Sequence, residues 1–304
     1  MEHGMAIPYE VEPFRLSCTS HGKLSVWDGG GSGTPLLLIH GNSSSHQVFA
    51  RQLRSDLAAR CRLITFDLPG HGQSEDAHDP ARTYSLPGLA DCTVELLERL
   101  EVSSAVVLGW SLGGHVAIEM LSRFKGMKGL ILTGTPPIRR GGFVEGFVSS
   151  PADGLAGRRH LSEAEVDTFA QAMFGTPVEP FLQGAIGRSD GRCRQGLFEA
   201  SRAGLGVDQR LAVEGSALPI AVINGATDPL IRLDYLEGVA YRNLWEGRCH
   251  RLDGAGHAPF WHAADTFNAL VGRFLGELER GTAGLERPAV KGDQKTVSTR
   301  ASRM

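Results

Sequence analysis

The sequence of 304 residues has few cysteines and almost no excess charge. Its five cysteines include no C-x-x-C pair, which argues against a disulfide framework and against a zinc knuckle. The formal net charge is −3 and no clustered basic stripe is present, so nothing favours a nucleic-acid partner. We expect a small neutral or weakly polar ligand instead.

Long apolar runs are also missing. No segment approaches the roughly 18 consecutive apolar residues of a membrane-spanning helix. The first residues, MEHGMAIPYEVEPF, lack the basic start and apolar run of a secretory signal. We therefore expect a soluble, cytoplasmic protein without a membrane partner.

Short β-rich runs alternate with amphipathic helical patterns in the first half of the chain. Strands are predicted at 23–28, 35–41, 61–67, 105–109 and 129–134, and helices at 46–60 and 85–100. Nearly continuous apolar strands separated by helices are typical of a parallel sheet covered on both faces. The pattern predicts a doubly wound α/β fold with a mostly parallel sheet.

The pattern changes in the second half. Residues 136–216 contain helical periods broken by glycine and proline, without a convincing strand. Strands resume at 219–225 and 248–254, and a last helix is predicted at 261–280. We expect residues 136–216 to form a helical cap over the carboxyl edge of the sheet, between two parts of one core, 10–135 and 217–280. The polar residues 281–304 are expected to form a flexible tail.

The stretch GWSLGGH, residues 109–115, lies where a predicted buried strand meets a predicted helix. Gly109 to Gly113 reads G-x-S-x-G, the pattern of a sharp strand-to-helix turn that exposes the hydroxyl of Ser111. The motif also arises by chance, so a plain small-residue turn is the alternative. A serine nucleophile needs a base in hydrogen-bond reach and a third group to orient that base.

Two residues further along the chain could supply that base and its partner. Asp228 follows the predicted strand at 219–225, and His257 lies in a glycine-rich loop after the next strand. Since ligands of open α/β sheets bind at the carboxyl ends of strands, both side chains should meet Ser111 there. Asp253 and Asp234 are weaker candidates for the acid. Asp253 is only four residues before the histidine, and Asp234 lies in a predicted helix.

Acyl transfer creates an oxyanion that requires preorganised hydrogen-bond donors. The residue after the nucleophile, Leu112, offers one backbone N–H. The stretch HGNSSS, residues 40–45, follows the predicted strand at 35–41 and offers the N–H of Asn42. We expect these two groups to form the oxyanion hole, and His40 to be structural.

The segment 67–80 holds His71, Asp76, His78 and Asp79 and raises the question of a metal site. Metal-dependent hydrolases place histidines two residues apart with a following Asp-His, and that spacing is absent. We therefore expect no metal and no cofactor.

The predicted cap is rich in phenylalanine, at positions 143, 147, 169, 174 and 181. Such residues more often form the core of a cap than a ligand pocket. Candidates for substrate contact are Trp110, Phe143, Phe147 and Phe169.

With these motifs in order, the chain resembles the α/β-hydrolase superfamily over residues 10–280. Within it, several stretches resemble the AidH-type N-acyl homoserine lactonases, a metal-independent group that opens the lactone ring of bacterial quorum signals. They are HGNSSSHQVFARQL, DLPGHGQSEDAHDPARTYS, GWSLGGHVAIEM, TGTPP and LWEGRCHRLDGAGHAPF. The likeness includes residues 42–45 and 244–247, which lie outside the general superfamily motifs.

The resemblance implies that Ser111 is the nucleophile, His257 the base, and Asn42 with Leu112 the oxyanion pair. Two positions depart from the family. Its acid is a glutamate where this chain has Asp228, and its cap tyrosine, which hydrogen-bonds the substrate, corresponds here to Phe169 in EVDTFAQAMF.

The predicted activity is hydrolysis of N-acyl homoserine lactones through an acyl-serine. A carboxylesterase, a lactonase for another ring, and a ligand receptor on a hydrolase scaffold are the alternatives.

Overall fold

The computed structural model describes residues 12–18 and 21–283 and contains an eight-stranded sheet. The strands are β1 (Phe14–Cys18), β2 (Gly22–Asp28), β3 (Pro35–Ile39), β4 (Arg62–Phe66), β5 (Ala105–Trp110), β6 (Met127–Thr133), β7 (Ile220–Gly225) and β8 (His250–Leu252). Their order is β1-β2-β4-β3-β5-β6-β7-β8. β2 pairs antiparallel with both β1 and β4, and the other pairs are parallel. The predicted mostly parallel α/β sheet is confirmed.

Helices connect these strands. They are α1 (Ala50–Leu53), α2 (Asp56–Arg60), α3 (Pro80–Thr83), α4 (Leu86–Arg99), α5 (Leu112–Met120), α6 (Glu163–Phe174), α7 (Pro180–Arg188), α8 (Gly191–Arg202), α9 (Gln209–Gly215), α10 (Leu233–Glu237), α11 (Pro259–His262) and α12 (Ala264–Ala283). Side chains cap the N-termini of several of these helices. Ser85 caps α4 by accepting from the N–H of Gly88, and Ser162 with Glu165 forms a capping box on α6. None of the described helices has both the length and the apolar composition to cross a bilayer.

The core lies on both faces of the sheet. Every residue of β5 is buried, with Val107 in the apolar cluster on one face and Val106 and Leu108 in the cluster on the other. A strand buried on both sides has no polar face, which explains why its sequence is an unbroken apolar run.

The segment between β6 and β7 carries α6 to α9 and contributes no strand to the sheet. Its assignment as a cap unit with bounds 136–216 stays a prediction. One isolated bridge, between Phe147 and Ile231, joins it to the loop after β7. Residues 10–11 and 19–20 of the predicted core and 284–304 of the predicted tail lie outside the described residues.

Three elements differ from the sequence-based expectation. The edge strand β1 is absent from the sequence-based prediction although its five residues, FRLSC, alternate between apolar and polar; it is short, and three of its residues are exposed at the edge of the sheet. The predicted helix 46–60 is a 3₁₀ turn followed by α1 and α2, since the Ser55 side chain caps α2 by accepting from the N–H of Leu57. The predicted helix 261–280 is split at Ala263, whose backbone leaves the helical region, and α12 continues to Ala283.

Candidate active site

Ser111 occupies the turn between β5 and α5 in a strained backbone conformation. Its φ is +52° and its ψ is −118°, which is unusual for a residue other than glycine. Hydrogen bonds hold it on both sides: its N–H donates to the Thr133 carbonyl at 3.0 Å, and its carbonyl accepts from the Thr135 hydroxyl at 3.0 Å. The surrounding structure thus fixes the direction of the hydroxyl-bearing side chain.

Two glycines of the motif are required by close backbone approach. A Cβ atom at Gly109 would overlap the carbonyl oxygen of Gly113, and one at Gly113 would overlap the carbonyl oxygen of Ile39. Helix α5 therefore begins directly against β5 and β3, which only glycine permits.

His257 and Asp228 form a buried pair. His257 Nδ1 lies 2.9 Å from Asp228 Oδ2 and 3.1 Å from Oδ1. Asp228 Oδ1 also accepts from the N–H groups of Leu230 at 2.9 Å and Ile231 at 3.2 Å. An ionised carboxylate only accepts hydrogen bonds, so Nδ1 carries the proton and Nε2 is left as the basic nitrogen of the neutral ring.

Neighbouring groups fix the position of the His257 imidazole. The indole Nε1 of Trp110 donates to the His257 carbonyl at 2.9 Å, and the two rings lie 5.6 Å apart. On another side, a Cβ atom at Gly134 would lie 2.7 Å from the imidazole Cε1. The loop 133–135 thus contacts both Ser111 and His257, which brings the two residues to one place at the sheet edge.

Asn42 and Leu112 lie with Ser111 on the wall of one cavity. Within residues 12–18 and 21–283, the backbone N–H groups of Asn42 and Leu112 donate to no other group. The next residue, Ser43, has φ +53° and donates its N–H to His71 Nε2 at 3.1 Å. The positions suit two donors directed at an oxygen beside the serine.

The side chain of Asn42 is tied to the segment between β6 and β7. Its Nδ2 donates to the Ala156 carbonyl at 2.8 Å, and its Oδ1 accepts from the Ser43 hydroxyl at 3.0 Å. The same hydroxyl accepts from Arg194 Nη1 at 3.1 Å. Arg194 is only 4% exposed, and its Nε also donates to the Arg158 carbonyl at 2.7 Å. The loop after β3 is therefore anchored by the buried Arg194 side chain of α8 and by a backbone carbonyl of the stretch before α6.

Two buried histidines support this loop from below. His40 Nδ1 lies 2.8 Å from the Gly41 carbonyl, and its Nε2 accepts from the N–H of Leu68 at 3.0 Å. His71 Nδ1 lies 3.1 Å from the Pro69 carbonyl. Burial lowers the pKa of His40 to about 4 and that of His71 to about 3, so both rings are neutral at pH 7.

The cavity beside Ser111 has a volume of about 110 Å³ and mostly apolar walls. Of the expected substrate contacts, Phe147 lines it. Trp110 is fully buried below the site, and Phe169, 4% exposed, packs in an apolar cluster and does not line this cavity. The side chain of Phe143 lies outside the described residues.

The polar residues of segment 67–80 have separate partners. Asp76 forms ion pairs with Arg188 at 3.1 Å and Arg192 at 3.5 Å, and Asp79 caps α3. His78 lies 3.4 Å from a carboxylate oxygen of Glu75. Among the described parts of the chain, no group of three or more His, Cys, Asp or Glu side chains could hold a metal ion.

This fold and this site define an α/β hydrolase, and the comparison with known sequences agrees. A sequence model of the alpha/beta hydrolase family matches residues 36–270, so the chain belongs to that family.

Solved structures give a finer comparison. The N-acyl homoserine lactonase AidH in complex with N-butanoyl homoserine is 46% identical, with a TM-score of 0.86 over 88% of this chain and 97% of that chain. A variant of AidH with N-hexanoyl homoserine lactone is 44% identical, with a TM-score of 0.86 over 89% and 99%. The resemblance to AidH-type lactonases inferred from the sequence motifs is confirmed.

Curated relatives are mainly esterases. A pimeloyl-[acyl-carrier protein] methyl ester esterase from Aromatoleum aromaticum is 33% identical over 246 residues, which is 74% of this chain and 91% of that protein. A poly(3-hydroxyalkanoate) depolymerase from Ectopseudomonas oleovorans is 27% identical over 274 residues, 85% and 90% of the two chains. The protein is therefore a hydrolase that acts on ester bonds.

Sequence reasoning missed the residues that hold the site from a distance. Ser43 lies inside the HGNSSS stretch, so its place beside Asn42 could have directed attention to it. Arg194 lies in a helical segment without a motif.

Proposed function

We propose that this hydrolase opens the lactone ring of N-acyl homoserine lactones and thereby quenches bacterial quorum signals, without a metal or cofactor. The observation that carries the proposal is the 46% identity to AidH, whose structure holds N-butanoyl homoserine, the ring-opened form of such a lactone. The mostly apolar cavity beside Ser111 fits an acyl chain.

In the first step, His257 Nε2 takes the proton of Ser111 as the serine Oγ attacks the lactone carbonyl carbon. Asp228 orients the imidazole and stabilises its charged form. The tetrahedral oxyanion accepts hydrogen bonds from the N–H groups of Asn42 and Leu112. Collapse breaks the ring carbon–oxygen bond, His257 returns the proton to the leaving alkoxide, and an acyl-serine ester remains.

In the second step, His257 takes a proton from water as the water oxygen attacks the acyl carbon. The tetrahedral intermediate collapses, the bond between the acyl carbon and Ser111 Oγ breaks, and His257 returns the proton to Oγ. The hydroxyl freed by ring opening stays on the same molecule, so its effective concentration near the ester is high and ring closure competes with water. Productive turnover requires this hydroxyl to leave the position from which it could attack.

The experiment is mass spectrometry of the wild type and of Ser111→Ala with a panel of N-acyl homoserine lactones, with and without a metal chelator. We expect catalytic gain of one water on the lactones, unaffected by the chelator and absent in the variant. Equal hydrolysis by the alanine variant, or loss of activity with the chelator, would contradict the serine mechanism.

A carboxylesterase that acts on another small ester is the second candidate. The 33% identity to the Aromatoleum aromaticum methyl ester esterase favours it. A p-nitrophenyl ester in the same panel separates the two proposals, since turnover of the ester alone would reject the lactone assignment. Multiple turnovers per chain on any substrate would reject a receptor role.

A further inference from the structure

His115 is a polar group in the cavity to which the proposed mechanism gives no task. It lies one helical turn after Ser111 on α5, with its N–H 3.2 Å from the Ser111 carbonyl, and its side chain lines the same cavity. The residue is only 8% exposed. Its Nδ1 lies 2.7 Å from Gln209 Oε1, whereas its Nε2 has no hydrogen-bond partner in the part of the chain that the structure describes.

The hydrogen bonds of Gln209 determine which ring nitrogen carries the proton. The backbone carbonyl of His115 can only accept, so the group 3.2 Å from it must be the NH₂ of Gln209. The amide oxygen of Gln209 therefore faces His115 Nδ1, and because this oxygen also only accepts, Nδ1 must donate. In the neutral ring, Nε2 is then left with a lone pair.

The ring is neutral under ordinary conditions. Burial lowers the pKa of His115 to about 4, and no acidic side chain lines the cavity around it. The Phe147 ring lies 6.4 Å away and adds to the apolar surroundings. An acceptor without a protein partner on a mostly apolar cavity wall is left to water or to a ligand donor, and a substrate that displaces the water without supplying a donor loses this hydrogen bond.

From this geometry we infer that His115 Nε2 accepts a hydrogen bond from an N–H or O–H group on the acyl part of the substrate. This inference rests on the proposed function and deepens it, since in an N-acyl homoserine lactone the donor is the amide N–H beside the ring. Substrates without a donor leave the lone pair unpaired, so His115 selects against simple fatty esters and lactones.

The test compares kcat/KM for substrate pairs that differ only in the donor. One pair is an N-acyl homoserine lactone and its analogue with CH₂ in place of the amide NH. The other is a p-nitrophenyl N-acylglycinate and the matching p-nitrophenyl ester with the same replacement. We expect the wild type to prefer the NH member by about tenfold, the effect of one hydrogen bond of roughly 1.4 kcal/mol. In His115→Phe the preference should fall to about twofold or less.

The control is His78→Phe, the same chemical change at an exposed position away from the cavity, which should keep the wild-type preference. If lactones are hydrolysed but neither the wild type nor His115→Phe distinguishes the members of a pair, the inference is wrong and the proposed function stands. If lactones are not hydrolysed but the ester pair is discriminated through His115, the proposed function is wrong and the inference stands. Turnover of neither class would reject both.

A measurement on the wild type covers the case in which His115→Phe does not fold. Long-range ¹H–¹⁵N spectra report which nitrogen of a histidine is protonated. We expect the proton of His115 to be on Nδ1 in the wild type. In Gln209→Leu it should no longer be confined to Nδ1. A proton on Nε2 in the wild type would overturn the inference.

Discussion

Gly134 allows a direct test of how tightly the His257 imidazole is held. The residue has φ +60°, and its N–H donates to Asn224 Oδ1 at 2.7 Å, which keeps the loop against the ring. In Gly134→Ala the new Cβ would lie 2.7 Å from Cε1 and 3.0 Å from Nδ1 of the imidazole. The substitution therefore pushes on the ring at the nitrogen that pairs with Asp228.

The size of the effect follows from these distances. Two carbons in contact prefer a separation of about 3.5 Å or more, so the ring or the loop must move by roughly 0.8 Å. A misplacement of this order lowers kcat by about 10- to 100-fold. Alanine at positive φ costs about 1–2 kcal/mol of stability, and the overlap adds about 1–3 kcal/mol.

Gly30→Ala is the matched control. Gly30 has φ +66°, and a Cβ atom there would meet nothing within 4 Å. Both variants share the backbone strain, but only Gly134→Ala meets the imidazole. Urea unfolding should show a similar loss of stability from alanine at positive φ in both variants. Steady-state kinetics should show a loss of kcat only in Gly134→Ala. If Gly134→Ala has the same kcat as Gly30→Ala, contact with the loop at Gly134 does not fix the position of the imidazole.

Three further predictions concern the turn at Ser111, the loop after β3 and pH. Ser111→Gly should abolish turnover. Its free energy of unfolding should be about 1 kcal/mol higher than that of Ser111→Ala, because glycine adopts the positive φ without strain. Equal thermal stabilities of the two variants would argue against strain at Ser111. Ser43→Ala should cost about 1–3 kcal/mol in urea unfolding and lower kcat, because Asn42 loses its buried partner; an unchanged kcat would contradict the role of this hydroxyl. Burial holds the pKa of His40 and His115 at about 4 and that of His71 at about 3, below the ordinary 6.5. Below pH 6.5 the unfolded chain therefore binds more protons than the folded protein. Each of these histidines should lower the free energy of unfolding by about 1.4 kcal/mol per pH unit as the pH falls from 6.5 towards 4. Equal urea midpoints at pH 7 and about pH 5 would refute this expectation.

The parts of the fold that could be predicted from sequence have local signals. The apolar run of β5, the glycines around Ser111 and the start of α5 follow one another in the chain, so pattern alone indicates the turn. The positions of Ser111, Asp228 and His257, each after a different strand, predict that they lie at a common edge, because the carboxyl ends of parallel strands lie on one side of the sheet. Their catalytic roles stay predictions.

Contacts between distant residues have no such signal. Arg194 bonds to Ser43 across 151 positions, and His115 to Gln209 across 94. No periodicity or spacing predicts such contacts, since they depend on how the segment between β6 and β7 lies against the sheet. Phe169 illustrates the same limit: its cap position suggests substrate contact, but the structure packs it into an apolar cluster.

The bonds from Asn42 to Ala156 and from Ser43 to Arg194 have a consequence for protein engineering. A chimera that exchanges residues 136–216 for those of another family member replaces the segment that supplies both partners of the loop after β3, the backbone carbonyl at position 156 and the Arg194 side chain. Such a transplant would change the residues that line the cavity beside Ser111 but leave the loop at Asn42 without its support. We therefore expect a chimera to acquire both the substrate range and the turnover rate of the donor protein only when residues 42–45 are exchanged together with residues 136–216.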